Sequence, residues 1–593
     1  MEGQKLPETY SDYISIIHAF QVSVAQNKSR PFVHYQQSNL RGYKTLTYEQ
    51  LDKITTYLAN EWAPVLLPII DSDTQCIASL GHESSIQSLL LLLTIWKLGL
   101  SYFPISIWCD ETAVSHLLKR EHVGCVIASE SYIKESHKSV TRITMENTSF
   151  PIKKWIEYDI DHLVEITAAS NDSIPEAVIP AGPDNIAVIL VTGGSSSGIP
   201  KAIRYSNWAF LYTLIDISLK HEDQLNGGPM FMKPTDVWLL ALPVERMSTI
   251  YMFLWGMLLG GSVVIFQHDP PLSMNDIFAA GEIYKPTWTY LPPNILEQVA
   301  EYLQNHSPDD PTHVTRVIQG IKTWMTGGAP LRLSTAEFLS SQGLNLASGY
   351  GASEFGALCT SLKDNKPGKS IFQFSKTSLC YLDFEPFDQN ICHLVVRSDY
   401  PGLATDVGNR PNGDFETKDL FTKSITSNDN TNLNEAGDEE WAFVGRINDT
   451  FIMENGKRIY PTPMEWEICT EDIIQNCIIV GENKRCAAVL IGLAYNKAIN
   501  YSPTMMITKV HEAVKRANKR VPHHSSVTVP TMVHILPLNK KLPITDKGTV
   551  FRKGVYSDFH LEIEELYDNY NSDTANDAAK AEIIAEDLSV KTA

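Results

Sequence analysis

Ile186-Ala187-Val188-Ile189-Leu190-Val191 runs directly into Thr192-Gly193-Gly194-Ser195-Ser196-Ser197-Gly198-Ile199-Pro200-Lys201. The first six residues are apolar and largely branched, the pattern of a strand buried on both faces. The ten that follow are small and hydroxylated and end on a lysine. Small residues at a strand end let backbone N–H groups approach phosphate oxygens, hydroxyls add donors, and Lys201 can offset phosphate charge. The spacing is not GxxxxGK[ST], so this is not a Walker A loop. Composition alone leaves two readings open, an anion cradle and an ordinary flexible connection.

Outward from this stretch, strand and helix patterns alternate. Cys125-Val126-Ile127-Ala128 is a second buried-strand run, and Gly261-Ser262-Val263-Val264-Ile265-Phe266 a third. Between them Trp208, Leu211, Tyr212, Ile215 and Leu219 recur at helical spacing. Upstream, Thr45-Leu46-Thr47-Tyr48 places a polar cap before Leu51, Ile54 and Leu58, which predicts a helix. The most apolar run, Leu89 to Trp96, is cut by Lys97 and Gly99 well short of a membrane span and predicts a buried helix. Asn412 to Glu440 is polar and asparagine-rich, which predicts an exposed excursion. Beyond Gly445-Arg446, Cys477–Val480 and Cys486–Ile491 flank Gly481 to Arg485 as a hairpin with a five-residue loop. Thr504 to Val521 then predicts an amphipathic helix with Met506, Val510, Ala513, Val514 and Ala517 on one face and Pro522 after it.

With 593 residues, 43% of them hydrophobic, the chain has too much length for one core, so two or more domains are expected. Acidic residues outnumber Lys plus Arg by 69 to 49, and a formal charge of -20 argues against a nucleic-acid partner and against an anionic membrane surface. It does not exclude ATP, which a local nest of N–H groups can hold. The nine cysteines are scattered without a CxxC pair, and the N-terminal residues lack a basic and apolar leader, so a cytoplasmic location is expected.

Three further motifs are individually weak. Tyr350-Gly351-Ala352-Ser353-Glu354 can bracket a nucleotide while Glu354 offers a hard oxygen to magnesium, or it can be a turn packed by Tyr350 with Glu354 in solvent. Asp419 and Arg446, read singly, suit a surface ion pair. Lys547, in Leu542-Pro543-Ile544-Thr545-Asp546-Lys547-Gly548-Thr549, can present an ammonium from a turn. A GxSxG elbow and an HExxH metal motif are both absent, so nucleophilic serine and zinc chemistry have no support.

The ordered combination resembles the large adenylate-forming family of acyl-CoA synthetases, luciferases and peptide-synthetase adenylation domains. Thr192 to Lys201 is similar to its phosphate loop, with Thr192, Gly193, Gly194, Ser195, Ser196, Ser197, Gly198 and Lys201 as the phosphate-binding set. Gly327-Gly328-Ala329-Pro330-Leu331 resembles the adenine-side loop, and Tyr350 to Glu354 the aromatic-Gly-x-Thr-Glu motif with Ser353 for threonine. The resemblance implies nucleotide contacts from Gly328, Ala329, Pro330, Tyr350, Gly351 and Ser353, ribose binding by Asp419, and a nucleotide contact from Arg446. Asn448 falls at the hinge, where the family often has aspartate. Asn455-Gly456-Lys457 resembles the loop that enters the site during thiol transfer. Ser195 stands where glycine is usual. At the usual terminal Gly-Lys this chain has Gly548-Thr549 with lysine earlier, at Lys547, which resembles a variant of fungal peptide-synthetase-like reductases and implies Lys547 as the catalytic lysine, beside Glu354 as catalytic residue and magnesium ligand.

What this implies is an α/β fold with a large multi-subdomain N-terminal body of mixed sheets, residues 1–446, and a smaller mobile α+β lid with an acidic tail, residues 447–593. The implied reaction uses ATP and Mg2+ to adenylate a small carboxylic acid and passes the acyl group to a thiol. The nearest impression is an adenylation domain of a fungal peptide-synthetase-like carboxylate reductase, which favours a phosphopantetheine arm on a carrier domain in cis or trans. Coenzyme A is the alternative acceptor, and a non-catalytic ATP- and acid-binding protein the alternative function.

Overall fold

Parallel pairing needs a crossover between successive strands, and the helical patterns between the apolar runs supply it. The computed structural model describes residues 13–36, 43–70, 75–80, 86–106, 109, 111–129, 151–155, 157–169, 182–192, 200–224, 232–266, 273–305, 317–361, 371–374, 376–423, 440–545 and 549–570. Among these, six strands form one sheet in the order Ile152–Trp155, Val123–Ser129, Cys76–Leu80, Ser101–Ile105, Ile186–Thr192, Lys201–Ser206. All its pairs are parallel except the last.

A second, larger sheet has a parallel centre made of Leu346–Ala352, Thr323–Gly327, Trp288–Tyr290, Val237–Leu240, Ser262–Ile265 and Pro31–Gln36. Tyr43–Thr47 closes one edge antiparallel. On the other side an antiparallel series runs through Gly356–Thr360, Ile371–Phe374, Glu440–Arg446, Phe415–Lys423, Ile391–Val396 and Leu382–Asp388. This is the mixed α/β body expected from the sequence.

Helix Tyr48–Leu66 opens on a capping box between Thr47 and Gln50 and buries Leu51, Ile54 and Leu58. The apolar run lies in helix Ile86–Lys97, where Leu89 to Leu93 are all buried. Lys97 is buried with it, and its ammonium donates to the Asp52 carboxylate and the Thr56 hydroxyl, both at 2.6 Å, so this charge is matched inside the core. Among the described residues no helix is long and apolar enough to cross a membrane.

The smaller C-terminal domain pairs Ile474–Val480 with Ala488–Leu493 antiparallel and Ala488–Leu493 with Val533–Ile535 parallel. Its apolar residues from Phe451 to Tyr567 form a core cluster of their own. The predicted hairpin is present, but Val480 pairs with Ala488, so the connection extends through Ala487 instead of ending at Arg485. Helix Pro503–Asn518 buries Val510, Ala513, Val514 and Ala517, with Met506 partly buried, and stops short of Val521.

One expectation fails. Asn412 to Glu440 is not a single exposed excursion, because Phe415–Lys423 is an internal strand of the larger sheet with Leu420 and Phe421 fully buried. The polar residues Glu416, Thr417, Lys418 and Thr422 mask a strand whose middle, Asp419 to Phe421, is buried. Residues 424–439 lie outside the described ones.

Candidate active site

Parallel strands end on one side of a sheet, and ligands of open α/β sheets bind beyond those carboxyl ends. Here that side gathers Tyr290, the Gly327-Gly328 turn and the end of strand Leu346–Ala352. Gly328 has φ +77, and a Cβ on Gly327 would stand 2.7 Å from the Gly349 carbonyl oxygen, so both positions need glycine to let the chain turn against its neighbour. A Cβ on Gly328 would lie 3.8 Å from the Tyr290 hydroxyl, which puts that phenol beside the Gly328-Ala329-Pro330 loop.

Asp419 reaches the same place through a local backbone irregularity. Between the pairs Val395 with Glu416 and His393 with Leu420, one residue of strand Ile391–Val396 faces three of its partner, and Lys418 adopts φ +62. This bulge is held by hydrogen bonds to side chains: Lys418 N donates to His393 Nε2 at 3.1 Å, and Asp419 N to the Thr417 hydroxyl at 3.0 Å. Burial lowers the His393 pKa, which favours the neutral ring that can accept the Lys418 bond.

The bulge turns the Asp419 carboxylate inward. Tyr350 Oη donates to its Oδ2 at 2.8 Å, and Arg446 Nε to its Oδ1 at 2.8 Å. Asp419 is 3% exposed while Arg446 is half-exposed, so the pair is not the surface ion pair that either residue suggests alone. Burial pushes the Asp419 carboxyl up from its ordinary value, against the charge of Arg446 and the bonds from Tyr350 and Arg446. Burial also drives the Tyr350 phenol well above its usual range, with the Asp419 charge adding to the effect. The Tyr350 ring is enclosed by Phe355, Phe372, Phe374, Phe421 and Phe443, with Phe421 edge-on at 5.1 Å. Each Asp419 oxygen keeps a further lone pair for a ligand hydroxyl.

Glu354 sits in the three-residue turn between Ala352 and Gly356, which pair across the hairpin. Gly356 has φ +70, as a turn of this length requires. The Glu354 carbonyl accepts from Ala404 N at 2.8 Å, and Thr405 N donates to Arg204 O at 2.8 Å, which ties the turn to strand Lys201–Ser206 of the other sheet. Glu354 makes no ion pair among the described residues and is partly exposed. Ser353 lies in the same turn.

Gly351 is where the two arms of this hairpin come closest. A Cβ there would stand 2.3 Å from the Gly356 carbonyl oxygen and 2.7 Å from the Ala357 Cα, both backbone atoms that cannot rotate away. Gly351→Ala is therefore expected to destabilise the fold by about 1–3 kcal/mol, as overpacking does. Gly320→Ala, where an added Cβ meets nothing within 4 Å, is the control. Urea unfolding of both variants measures the difference, and equal midpoints would show that the hairpin tolerates the methyl group.

Thr192 pairs with Lys201, so the glycine-serine segment connects two antiparallel strands. Gly193, Gly194, Ser195, Ser196, Ser197 and Gly198 lie outside the described residues, and Lys201 is the exposed first residue of the outgoing strand. Lys547 also lies outside them. The residues on either side of it close on each other: Thr545 N donates to Thr549 O at 2.8 Å, and the two hydroxyls are 2.8 Å apart. Asn448 is an exposed residue of the 3-10 turn Ile447–Asp449 that follows Arg446. Asn455, Gly456 and Lys457 form an exposed turn of the smaller domain, with Gly456 at φ +76 and Lys457 N donating to Asn455 Oδ1 at 3.0 Å.

Sequence reading missed His393, Thr417 and Tyr290. The Thr417-Lys418-Asp419 spacing carried a signal for Thr417, since a hydroxyl two residues before a backbone N–H can cap it locally. His393 and Tyr290 are brought in by pairing across the sheet and left no local trace.

Residues 20–375 match the AMP-binding enzyme family, and residues 448–571 match the AMP-binding enzyme C-terminal domain. The adenylate-forming reductase Nps11 of Serpula lacrymans is 22% identical over 527 residues, which is 85% of this chain and 45% of the reductase. The chain spans about half the length of the curated relatives it matches. Among solved structures, the anthranilate CoA ligase AuaEII in complex with anthranoyl-AMP superposes with a TM-score of 0.69 at 13% identity, covering 93% of this chain and 98% of that one. The A domain of carboxylic acid reductase from Segniliparus rugosus, in complex with AMP and a co-purified carboxylic acid, gives 0.65 at 15% identity and 95% of both chains. These structures share the fold. With the family model matched over most of the chain, and Tyr350, Asp419 and Arg446 meeting beside the Gly328 turn, this chain belongs to the AMP-binding enzyme family of adenylate-forming enzymes.

Proposed function

We propose that this protein uses ATP to adenylate a carboxylic acid and then transfers the acyl group to a thiol. The observation that carries this reading is the convergence of Tyr350, Asp419 and Arg446 beside the Gly328 turn, in a chain of this family. The substrate carboxylate attacks the α-phosphorus, pyrophosphate leaves, and the acyl-adenylate remains. Thr192 to Gly198 and Lys201 hold the outer phosphates, while Gly328, Ala329, Pro330, Tyr350, Gly351 and Ser353 bracket the adenine. Asp419 accepts from the ribose hydroxyls, and Arg446, anchored to it, faces the nucleotide.

Glu354 suits magnesium, which takes one or two carboxylates with phosphates and waters and needs no all-protein cage. When bound, the ion neutralises charge on the polyphosphate. Lys547 supplies positive charge to the transition state. Residues 1–446 act as the body and 447–593 as a lid that turns about Asn448, bringing Asn455, Gly456 and Lys457 toward the site for transfer.

For the thiol, coenzyme A is the first reading, supported by likeness to an anthranilate CoA ligase over almost all of that chain's length. A phosphopantetheine arm on a carrier domain, favoured by sequence alone, is the second, supported by the likeness to adenylate-forming reductases. Pyrophosphate exchange with magnesium across a broad panel of acids tests the first half-reaction. Exchange above background with at least one acid is expected. No exchange and no acyl-AMP from folded protein would overturn the enzymatic reading in favour of an ATP- and acid-binding protein. Acylation of coenzyme A and of a phosphopantetheinylated carrier protein, run side by side, then separates the two acceptors.

A further inference from the structure

Away from this site, two of the nine cysteines meet in the smaller domain. Cys469 ends helix Pro461–Ile468, and Cys477 lies in strand Ile474–Val480, eight positions on. Their sulfurs are 3.7 Å apart. Cys477 is buried, and its S–H also has the Glu465 carbonyl oxygen in reach at 3.5 Å, whereas Cys469 is partly exposed. The larger domain contributes the third partner. Arg332, paired there with Glu297 at 3.0 Å, crosses to donate from Nη1 to the Ile474 carbonyl at 3.1 Å, inside the segment that joins the two cysteines.

The two thiols are unequal. The bond from Cys477 holds Cys469 below the usual thiol range, against burial, and the Arg332 charge adds to it. Burial and the neighbouring Cys469 push Cys477 well up. Burial also raises Cys76, Cys125, Cys392 and Cys486, whereas Cys469 is lowered and has a second thiol 3.7 Å away that can resolve a mixed disulfide.

We propose that Cys469 and Cys477 are a redox-modifiable pair that forms a reversible disulfide by exchange with a small-molecule disulfide such as glutathione disulfide. The Cys469 thiolate attacks one glutathione sulfur, forming a mixed disulfide and releasing one glutathione thiolate. Cys477 gives up its proton to solvent and attacks Cys469 Sγ, releasing the second. The two protein thiols are oxidised and the glutathione disulfide is reduced to two thiols. Because Arg332 belongs to the other domain, the reactivity of Cys469 depends on how the domains are docked.

The full chain, incubated in glutathione redox buffers, quenched by alkylation and mapped without reduction, tests this independently of any adenylation activity. A peptide cross-linking Cys469 to Cys477 is expected, reversed by dithiothreitol. Cys477→Ser should accumulate glutathione on Cys469, and Cys469→Ser should abolish both products. Arg332→Ala should slow modification of Cys469 several-fold while native circular dichroism is retained. Full alkylation of both cysteines after oxidation, or a mixed disulfide on Cys469 that never resolves in the parent chain, would overturn the proposal. An unchanged rate in Arg332→Ala would overturn its dependence on domain docking.

Discussion

Lys547→Ala is expected to leave the fold and most ATP binding intact while lowering single-turnover acyl-adenylate formation by about 100- to 1,000-fold, the usual cost of losing one group that meets charge developing in the transition state. The residue at the usual lysine position, Thr549, carries no permanent charge, and its hydroxyl is 2.8 Å from that of Thr545. Nearby ammonium groups are the competing sources. Lys540 is paired with Glu562 at 2.7 Å, which makes it the poorer candidate, and Lys541 is exposed. Lys540→Ala and Lys541→Ala should therefore stay near parental rates. Transfer from chemically supplied acyl-AMP should be little affected by Lys547→Ala, because that step follows the loss of pyrophosphate. If Lys547→Ala forms adenylate at close to the parental rate and one of the other two variants does not, the positive charge comes from elsewhere.

Asp419→Asn should weaken ATP and AMP binding by about 10- to 100-fold, the loss expected when charge-assisted hydrogen bonds of ~1.5–3 kcal/mol become neutral ones. The amide fills the same space, so Tyr350 can still donate to its oxygen, but the counter-charge to Arg446 is gone. Titration calorimetry with AMP measures the effect without requiring turnover. Unchanged affinity in a folded variant would remove Asp419 from the nucleotide site.

The same substitution has a signature in stability. Burial holds the Asp419 proton in the native state to a higher pH than in the unfolded chain, whose value is near 3.8. Ionising it therefore costs native stability as pH rises above that value, and stability rises with pH only where the unfolded state binds more protons. Asp419→Asn removes this cost, so the variant's stability relative to the parent should improve as pH climbs from about 3.8. Urea unfolding at several pH values reads the trend.

The comparison of sequence with structure separates two kinds of information. Ile186 to Val191, Leu89 to Trp96 and the Thr47 cap are local patterns, and each formed the predicted element because burial period and capping act within a few residues. The motif at Tyr350 to Glu354 was weaker alone and left two readings open; in the structure Gly351 lies in strand Leu346–Ala352 where the hairpin arms come closest, and the turn follows it. Asp419 behaved differently. Its neighbourhood looked like exposed chain, and its site depends on a bulge whose αL residue is Lys418, stabilised by His393 from the adjacent strand. A lysine at positive φ has no signature in a sequence, because its cost is met by contacts from another strand. Sequence by itself determined the α/β order, the mixed body with a smaller second domain, and the family motifs. Only the tertiary structure decided that Asp419 is buried between Tyr350 and Arg446, that Glu354 is tied to the other sheet through Ala404 and Arg204, and that Cys469 lies against Cys477. Those placements arise from pairing between distant segments, where burial and hydrogen bonding act across space and leave no periodicity along the chain.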